Sequence, residues 1–263
     1  EIFALQHNDG TASFTTTHGL QDGQKTSSTQ QVKVGKNIGK SNETSTYEQA
    51  CSEAQSRWNK QIDQGYSISE ETIQSGDERE YFLPMLAHRY DQKGSKIVWP
   101  AYVQKKYDGF RCLARKEDGK VEMWSRKGKA FDIPKEIIAD LEEVLYEGQC
   151  VDGELYKHEW RSESGDPDFQ RIASAAKKWK PDTALLEYHI YDCPNENLTF
   201  EERFVNIEFQ ETVRIKRATT YLVKDEAEAM AFYEAWITGA KPYEGAMLRN
   251  KDGYYMFDHR SND

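Results

Sequence analysis

The sequence predicts an α+β fold in two parts: a small β-rich domain with one helix, then a larger body in which strands and helices alternate. Three observations carry this. Residues 1 to 46 are rich in Thr, Ser, Gln and Gly and hold short alternating stretches. Residues 67 to 80 are polar and carry no periodic pattern. From Tyr81 onward, apolar runs of strand length are interleaved with runs of helical period. The expected division is a domain over 1–66, a linker over 67–80 and a second domain over 81–263.

In the first domain, IFALQ, ASFTTTH and QQVKVG read as strands of an antiparallel sheet, separated by turn residues such as Asn8-Asp9-Gly10 and Asp22-Gly23. Tyr47, Ala50, Cys51, Ala54, Trp58 and Ile62 recur at three- and four-residue steps, which predicts an amphipathic helix stopped by Gly65. In the second domain, AYVQKKY, FRCLARK and CVDGEL read as strands and PKEIIADLEEVLY as a helix. A helix around DFQRIASAAKKW, a strand ALLEYHIYDC, a helix over LTFEERFVNIEF, a strand TTYLV, a helix DEAEAMAFYEAW and a strand AMLRN complete the order. The order alone fits α+β or α/β.

Composition narrows the function classes. The chain has 263 residues, 37% hydrophobic and 30% charged. It contains no apolar run long enough to span a bilayer and no signal-peptide pattern, so an intracellular protein is expected, with no membrane partner. The formal net charge of -10 weighs against a nucleic-acid partner, although a local basic groove can sit on an acidic protein. Cys51, Cys112, Cys150 and Cys193 are scattered with no C-x-x-C pair, which argues against a disulfide framework and a zinc site. The histidines form no metal spacing such as H-E-x-x-H.

Two segments suggest phosphate chemistry. Val34-Gly35-Lys36-Asn37-Ile38-Gly39-Lys40-Ser41 nearly spells a P-loop, but it has three residues between its glycines where the motif needs four, and no apolar helix follows. It is rejected. Lys106-Tyr107-Asp108-Gly109-Phe110-Arg111 lies between two apolar strands. Locally it reads in two ways. It could be a hairpin closed by an Asp-Gly turn. It could instead be a lysine at a strand end in a cleft wall, with glycine admitting a ligand closely. A lysine attacks only when neutral, and desolvation and nearby cations lower its pKa; Lys105 and Arg111 are the candidate neighbours.

The hexapeptide is followed in order by Ser125-Arg126-Lys127-Gly128, Asp152-Gly153-Glu154, Tyr188-His189-Ile190-Tyr191-Asp192 and Glu244-Gly245-Ala246-Met247-Leu248-Arg249. Together these resemble the motif series of the nucleotidyltransferase superfamily of ATP-dependent DNA ligases, RNA ligases and mRNA capping enzymes. Pro84-Met85-Leu86-Ala87 and the M-L-R of the last motif resemble the DNA ligases among them, small phage-type enzymes included. The resemblance covers about residue 81 to the end. It implies α+β with an ATP-grasp-like adenylation core of antiparallel sheets and helices.

The resemblance also implies chemistry. Lys106 would take AMP from ATP, with Mg2+ (or Mn2+) present. Glu154 and Glu244 would bind nucleotide and metal, since hard cations prefer carboxylate oxygen. Tyr191 would stack on adenine, its alternative being core packing. Gln104 would read the adenine edge. Arg111 would contact nucleotide sugar, and Arg111 and Arg126 the nick phosphate, as the arginine fork allows. The expected function is an ATP-dependent DNA ligase, a monomer sealing nicked duplex DNA through lysyl-AMP in replication, repair or recombination. It would work in the cytoplasm, or in the nucleus of a eukaryote. An RNA ligase or capping enzyme is the enzymatic alternative. A non-catalytic nucleotide- or nucleic-acid-binding protein is the alternative of another class. The family's final K-x-K motif is expected beyond Asp263, so the chain is expected to stop short of it and of any OB-fold domain; opening on Glu1 suggests a trimmed start. Residues 1–66 loosely resemble a WGR-like nucleic-acid-binding module, with Val34-Gly35-Lys36 near the W-G-R place and a helix ending toward Tyr66.

Overall fold

A computed structural model describes residues 1–19, 23–40, 42–62, 81–205 and 210–261. The chain divides into two compact units, Glu1–Glu78 and Arg79–Asp263. The expected linker over 67–80 and the stop at Gly65 lie outside the described residues.

In the first unit, β1 (Ile2–Gln6), β2 (Ala12–Gly19) and β3 (Lys25–Val32) form an antiparallel sheet in that order. Its buried face presents Ala12, Phe14 and Val32 to Ala50 and Ala54 of α1 (Thr46–Ile62). Helix α1 starts where it does because Ser45 and Glu48 cap each other: the Ser45 amide donates to Glu48 Oε2 at 2.8 Å and the Glu48 amide to Ser45 Oγ at 3.2 Å. Strand β3 ends at Val32, earlier than QQVKVG suggested. A Cβ on Gly35 would come within 2.8 Å of the Thr44 backbone carbon, so the chain turns there. The near-P-loop folds on itself, with Gly39 N–H donating to Glu43 Oε2 at 2.8 Å and Lys36 N–H to Thr44 Oγ1 at 3.0 Å. These two amides are turned to protein oxygens and not toward a phosphate, in keeping with the rejection of the P-loop reading.

The second unit holds a six-stranded sheet and a three-stranded one. The larger has the order β11 (Ile215–Arg217), β10 (Glu187–Asp192), β9 (Cys150–Tyr156), β6 (Phe110–Glu117), β7 (Lys120–Ser125), β8 (Ala130–Phe131). Its pairs are antiparallel except β10 with β11. The smaller is antiparallel, with β5 (Ala101–Lys106) between β12 (Thr220–Val223) and β13 (Gly245–Asn250). A two-residue parallel pair, β4 (Leu86–Ala87) with β14 (Arg260–Ser261), adds a small third sheet.

Helices cover the outer faces. In α3 (Lys135–Val144), which follows the short α2 (Tyr90–Lys93), Ile137 and Leu141 recur four apart and are fully buried. In α4 (Phe169–Lys177), Ala173, Ala175 and Ala176 are small enough to bring the helix close to the sheet, and Asp168 caps it by accepting from Arg171 N–H at 3.0 Å. In α5 (Glu226–Ile237), Ala229 packs with Val103 and Val223 behind the smaller sheet.

Two expectations change. LTFEERFVNIEF was read as a helix, but Glu201–Val205 makes a single π-helical turn; residues 206–209 lie outside the described residues. Phe200 and Phe204 stack at 5.3 Å while Arg203 reaches inward to Asp192 at 2.7 Å, so inward packing shapes this segment more than helical period does. Strand β7 had not been anticipated. It is reached through the hairpin turn Asp118-Gly119, both residues at positive φ (51° and 73°).

Candidate active site

Lys106 ends β5 and Phe110 begins β6, yet these strands belong to different sheets. The hairpin reading of Lys106–Arg111 is therefore excluded: the segment crosses between sheets. Gly109 is required at the crossing, because a Cβ there would come within 2.7 Å of Glu154 Cγ and also collide with the Leu155 carbonyl oxygen.

A cleft of about 250 Å³ lies at the junction. Strand alternation supplies one wall from the smaller sheet: Gln104 and Lys106 on β5, Met247 and Arg249 on β13. The larger sheet supplies Arg111 on β6, Glu154 on β9 and Tyr191 on β10. Glu244, Arg126, Met85 and Ala87 also line it. All seven residues singled out from the sequence (Gln104, Lys106, Arg111, Arg126, Glu154, Tyr191 and Glu244) thus meet in one cleft.

Their environments differ. Lys106 Nζ forms an ion pair with Glu244, and the Glu244 amide donates to the Lys106 carbonyl at 3.2 Å. Lys105, expected as its cationic neighbour, turns away; its ammonium lies 4.6 Å over the Tyr243 ring. Arg111 is bidentate to buried Asp152 at 3.0 and 2.6 Å and donates to the Met85 carbonyl at 2.8 Å. Arg126 is exposed and has no hydrogen bond or ion pair among the described residues, which leaves it free for an anion. Gln104 spends its amide hydrogens on the Tyr191 carbonyl (3.0 Å) and Thr220 Oγ1 (2.9 Å), pinning the two sheets together at the cleft floor.

Tyr191 is half-buried, with its hydroxyl donating to Glu154 Oε2 at 3.4 Å and the Arg111 guanidinium 5.7 Å from its ring centroid. Burial pushes the Glu154 carboxyl up to about 8, against the pull of Arg111 and Lys106 and with the help of Asp152 and Glu244. Burial, with Glu244 nearby, also raises Asp108. A carboxyl held this high between two other acids fits a site made for a cation. Glu154 and Glu244 together offer the oxygen donors that a hard divalent ion prefers.

Sequence reading assigned no role to Asp152, Asp192 or Arg249. Asp192 accepts from Arg203 at 2.7 Å and from Arg249 at 3.0 Å, and all three are buried. The available signal was an acid at alternating positions of otherwise apolar strands, since such acids are buried only when paired.

The two sheets meeting at this cleft define the class: the fold is that of a DNA ligase adenylation core. It is shared with the structure of Chlorella virus DNA ligase-adenylate, at a TM-score of 0.52 and 23% identity over 68% of this chain and 63% of that one. A structure described as a Lig E DNA ligase matches at a TM-score of 0.50 and 21% identity, over 69% of this chain and 66% of that one. The chain belongs to the ATP dependent DNA ligase domain family, whose model matches residues 84–263. It is 27% identical over 273 residues to the DNA ligase of African swine fever virus (isolate Pig/Kenya/KEN-50/1950), covering 97% of this chain and 61% of the viral protein. It is 27% identical over 225 residues to the DNA ligase of Enterobacteria phage T4, covering 65% of this chain and 45% of the phage protein. The chain thus spans less than two thirds of the length of these relatives. Among the described residues, no helix is long and apolar enough to cross a membrane.

Proposed function

We propose that the protein is an ATP-dependent DNA ligase whose Lys106 carries AMP to a nick in duplex DNA. The carrying observation is the placement of Lys106: it ends a strand at the junction of two sheets, paired with Glu244 in a cleft that also holds Glu154 and Tyr191. Family membership and the DNA ligases to which the chain is similar support the same reading.

The reaction follows from these positions. Lys106 passes its ammonium proton to Glu244 across their ion pair, the neutral pair then separates, and the lone pair on Nζ attacks the α-phosphorus of ATP. A nitrogen–phosphorus bond forms, the bond to pyrophosphate breaks, and AMP remains on Lys106. Tyr191 offers its ring face to adenine. Arg126, unpaired among the described residues, offers its guanidinium to a phosphate of the nick. A 5′-phosphate oxygen at the nick then attacks the bound AMP, releasing Lys106. The 3′-hydroxyl attacks that 5′-phosphorus in turn, closing the strand and expelling AMP. Glu154, and Glu244 once it has released the Lys106 proton to solvent, would hold a divalent cation, Mg2+ or Mn2+, which would supply charge compensation for the phosphates.

The test is incubation with ATP labelled at the α-phosphate and magnesium, beside labelled GTP. Label on denatured wild type from ATP, none from GTP, and none on Lys106→Ala is the expected result. Label from GTP would favour a capping-type enzyme. No label on wild type would favour a binding-only protein.

A further inference from the structure

A knot of aromatic rings to which the reaction assigns no role continues from the cleft, which Tyr107 also lines. Tyr107, which follows Lys106, is half-buried in it. Its ring lies 5.2 Å from Tyr156, 4.7 Å from His189 and 5.9 Å from Tyr243. Tyr243 stacks on His158 at 4.5 Å and 18°, and the Lys105 ammonium lies 4.6 Å from the Tyr243 ring centroid.

The sequence positions of these rings are what set them apart from ordinary core. Each of the four central rings lies one or two residues from a cleft residue on the same stretch of chain: Tyr107 after Lys106, Tyr243 before Glu244, Tyr156 two beyond Glu154, His189 two before Tyr191. On β9 the two-residue step from Glu154 to Tyr156 keeps the same face, and on β10 His189 pairs with Glu154 across the sheet, so the knot continues the cleft wall. Tyr107 and Tyr243 come from the two chain segments that meet at the Glu244 N–H to Lys106 carbonyl bond of 3.2 Å. The Tyr107 hydroxyl has no hydrogen bond among the described residues, so its contribution is packing of the ring.

We propose that this ring cluster is a positioning element: packing of Tyr107 and Tyr243 against Tyr156 and His189 sets where Lys106 and Glu244 stand relative to Glu154 and Tyr191. This rests on the reading of Lys106 as the AMP acceptor. Lys106 sits on the last residue of a strand, followed by a glycine-containing crossover, so its backbone is held by little else on that side. A displacement of about 1 Å costs on the order of 100-fold in a reaction that depends on in-line geometry. Binding of ATP draws on the wider cleft and is affected far less. Tyr107 and Tyr243 are positioning residues, acting through Lys106 and Glu244.

The experiment measures the maximal rate of AMP adduct formation and the half-saturating ATP concentration. Wild type is compared with Tyr107→Phe, Tyr107→Leu, Tyr243→Leu and the double Leu variant, with a melting curve for each. In the Leu variants the maximal rate is expected to fall by about 30- to 100-fold, with half-saturating ATP within about threefold of wild type. Tyr107→Phe is expected to keep the rate, and the double variant to lose no more than the worse single one, as one device predicts. The proposal is overturned if Tyr107→Leu keeps the wild-type rate, if rate and ATP affinity fall in proportion, or if Tyr107→Phe falls as far as Tyr107→Leu. If Tyr107→Leu does not fold, Tyr243→Leu carries the same test from the opposite segment. Wild type without any adduct would instead remove the assignment of Lys106, and this proposal with it; wild type with adduct and unaffected Leu variants would remove the proposal alone.

Discussion

Asp152 and Glu154 lie two residues apart on β9, both buried, and the structure treats them in opposite ways. Asp152 is fully enclosed and receives Arg111 through two hydrogen bonds and the Tyr255 hydroxyl at 2.8 Å. Asp192 on the neighbouring strand is held likewise by Arg203 and Arg249. Among the described residues, Glu154 has one long hydrogen bond, from Tyr191 at 3.4 Å, and its carboxyl is pushed up to about 8 by burial. A buried carboxylate without a partner is unfavourable. The aspartates are therefore fastenings of the fold, and Glu154 is the acid left for the ligand under the proposed function.

Three substitutions sharpen or break this contrast, from the largest expected effect down. Asp192→Ala leaves the Arg203 guanidinium, 2% exposed, with its carboxylate partner removed, and is expected to lower stability by about 3–5 kcal/mol. Urea unfolding measures it, and a loss under 1 kcal/mol would mean that Asp192 does not fasten the fold.

Glu154→Gln is expected to split function from stability. Adduct formation should fall by about 100-fold, while the melting temperature in the absence of nucleotide and metal should rise. The sign follows from linkage. The folded-state carboxyl titrates near 8, above its ordinary value, so the stability it contributes is present below that ordinary value and is lost as pH rises through about 8. The advantage of Glu154→Gln should therefore be absent near pH 4.5, partial at pH 6 and full at pH 9, at about 2–4 °C for each kcal/mol. A variant that melts below wild type at pH 9 would place Glu154 among the fastenings.

Lys120→Ala is the control at the small end. Its pair with Glu142 spans 3.8 Å and Lys120 is 79% exposed, so the change in stability should stay within about 0.5 kcal/mol.

Much of the larger unit was legible as segments. The strands around Lys106, the helix over Lys135–Val144 and the helix over Glu226–Ile237 follow from period alone. The turn at Glu201–Val205 was not, because Arg203 and Phe204 are drawn inward by Asp192 and Phe200, partners that period cannot reveal. Of the candidate site, the residue types and their order were legible; what the order did not show is that Arg111, which lines the cleft, is also tied to Asp152, 41 residues away. Arg126, read alongside it, has no hydrogen bond or ion pair among the described residues.

By itself the sequence determined what depends on neighbouring residues: the apolar strands on either side of Lys106, the helical periods over Lys135–Val144 and Glu226–Ile237, and the ordered motif series from Lys106 to Glu244. Only the tertiary structure decided that Lys106–Arg111 crosses between two sheets, that Glu154 is buried without a strong partner, and that Tyr107 meets Tyr243. Local pattern restricts backbone angles and faces over a few residues. Burial and pairing are set by segments far apart in the chain, as Tyr255 and Asp152 are at 103 residues' separation, and no period in either segment encodes the other.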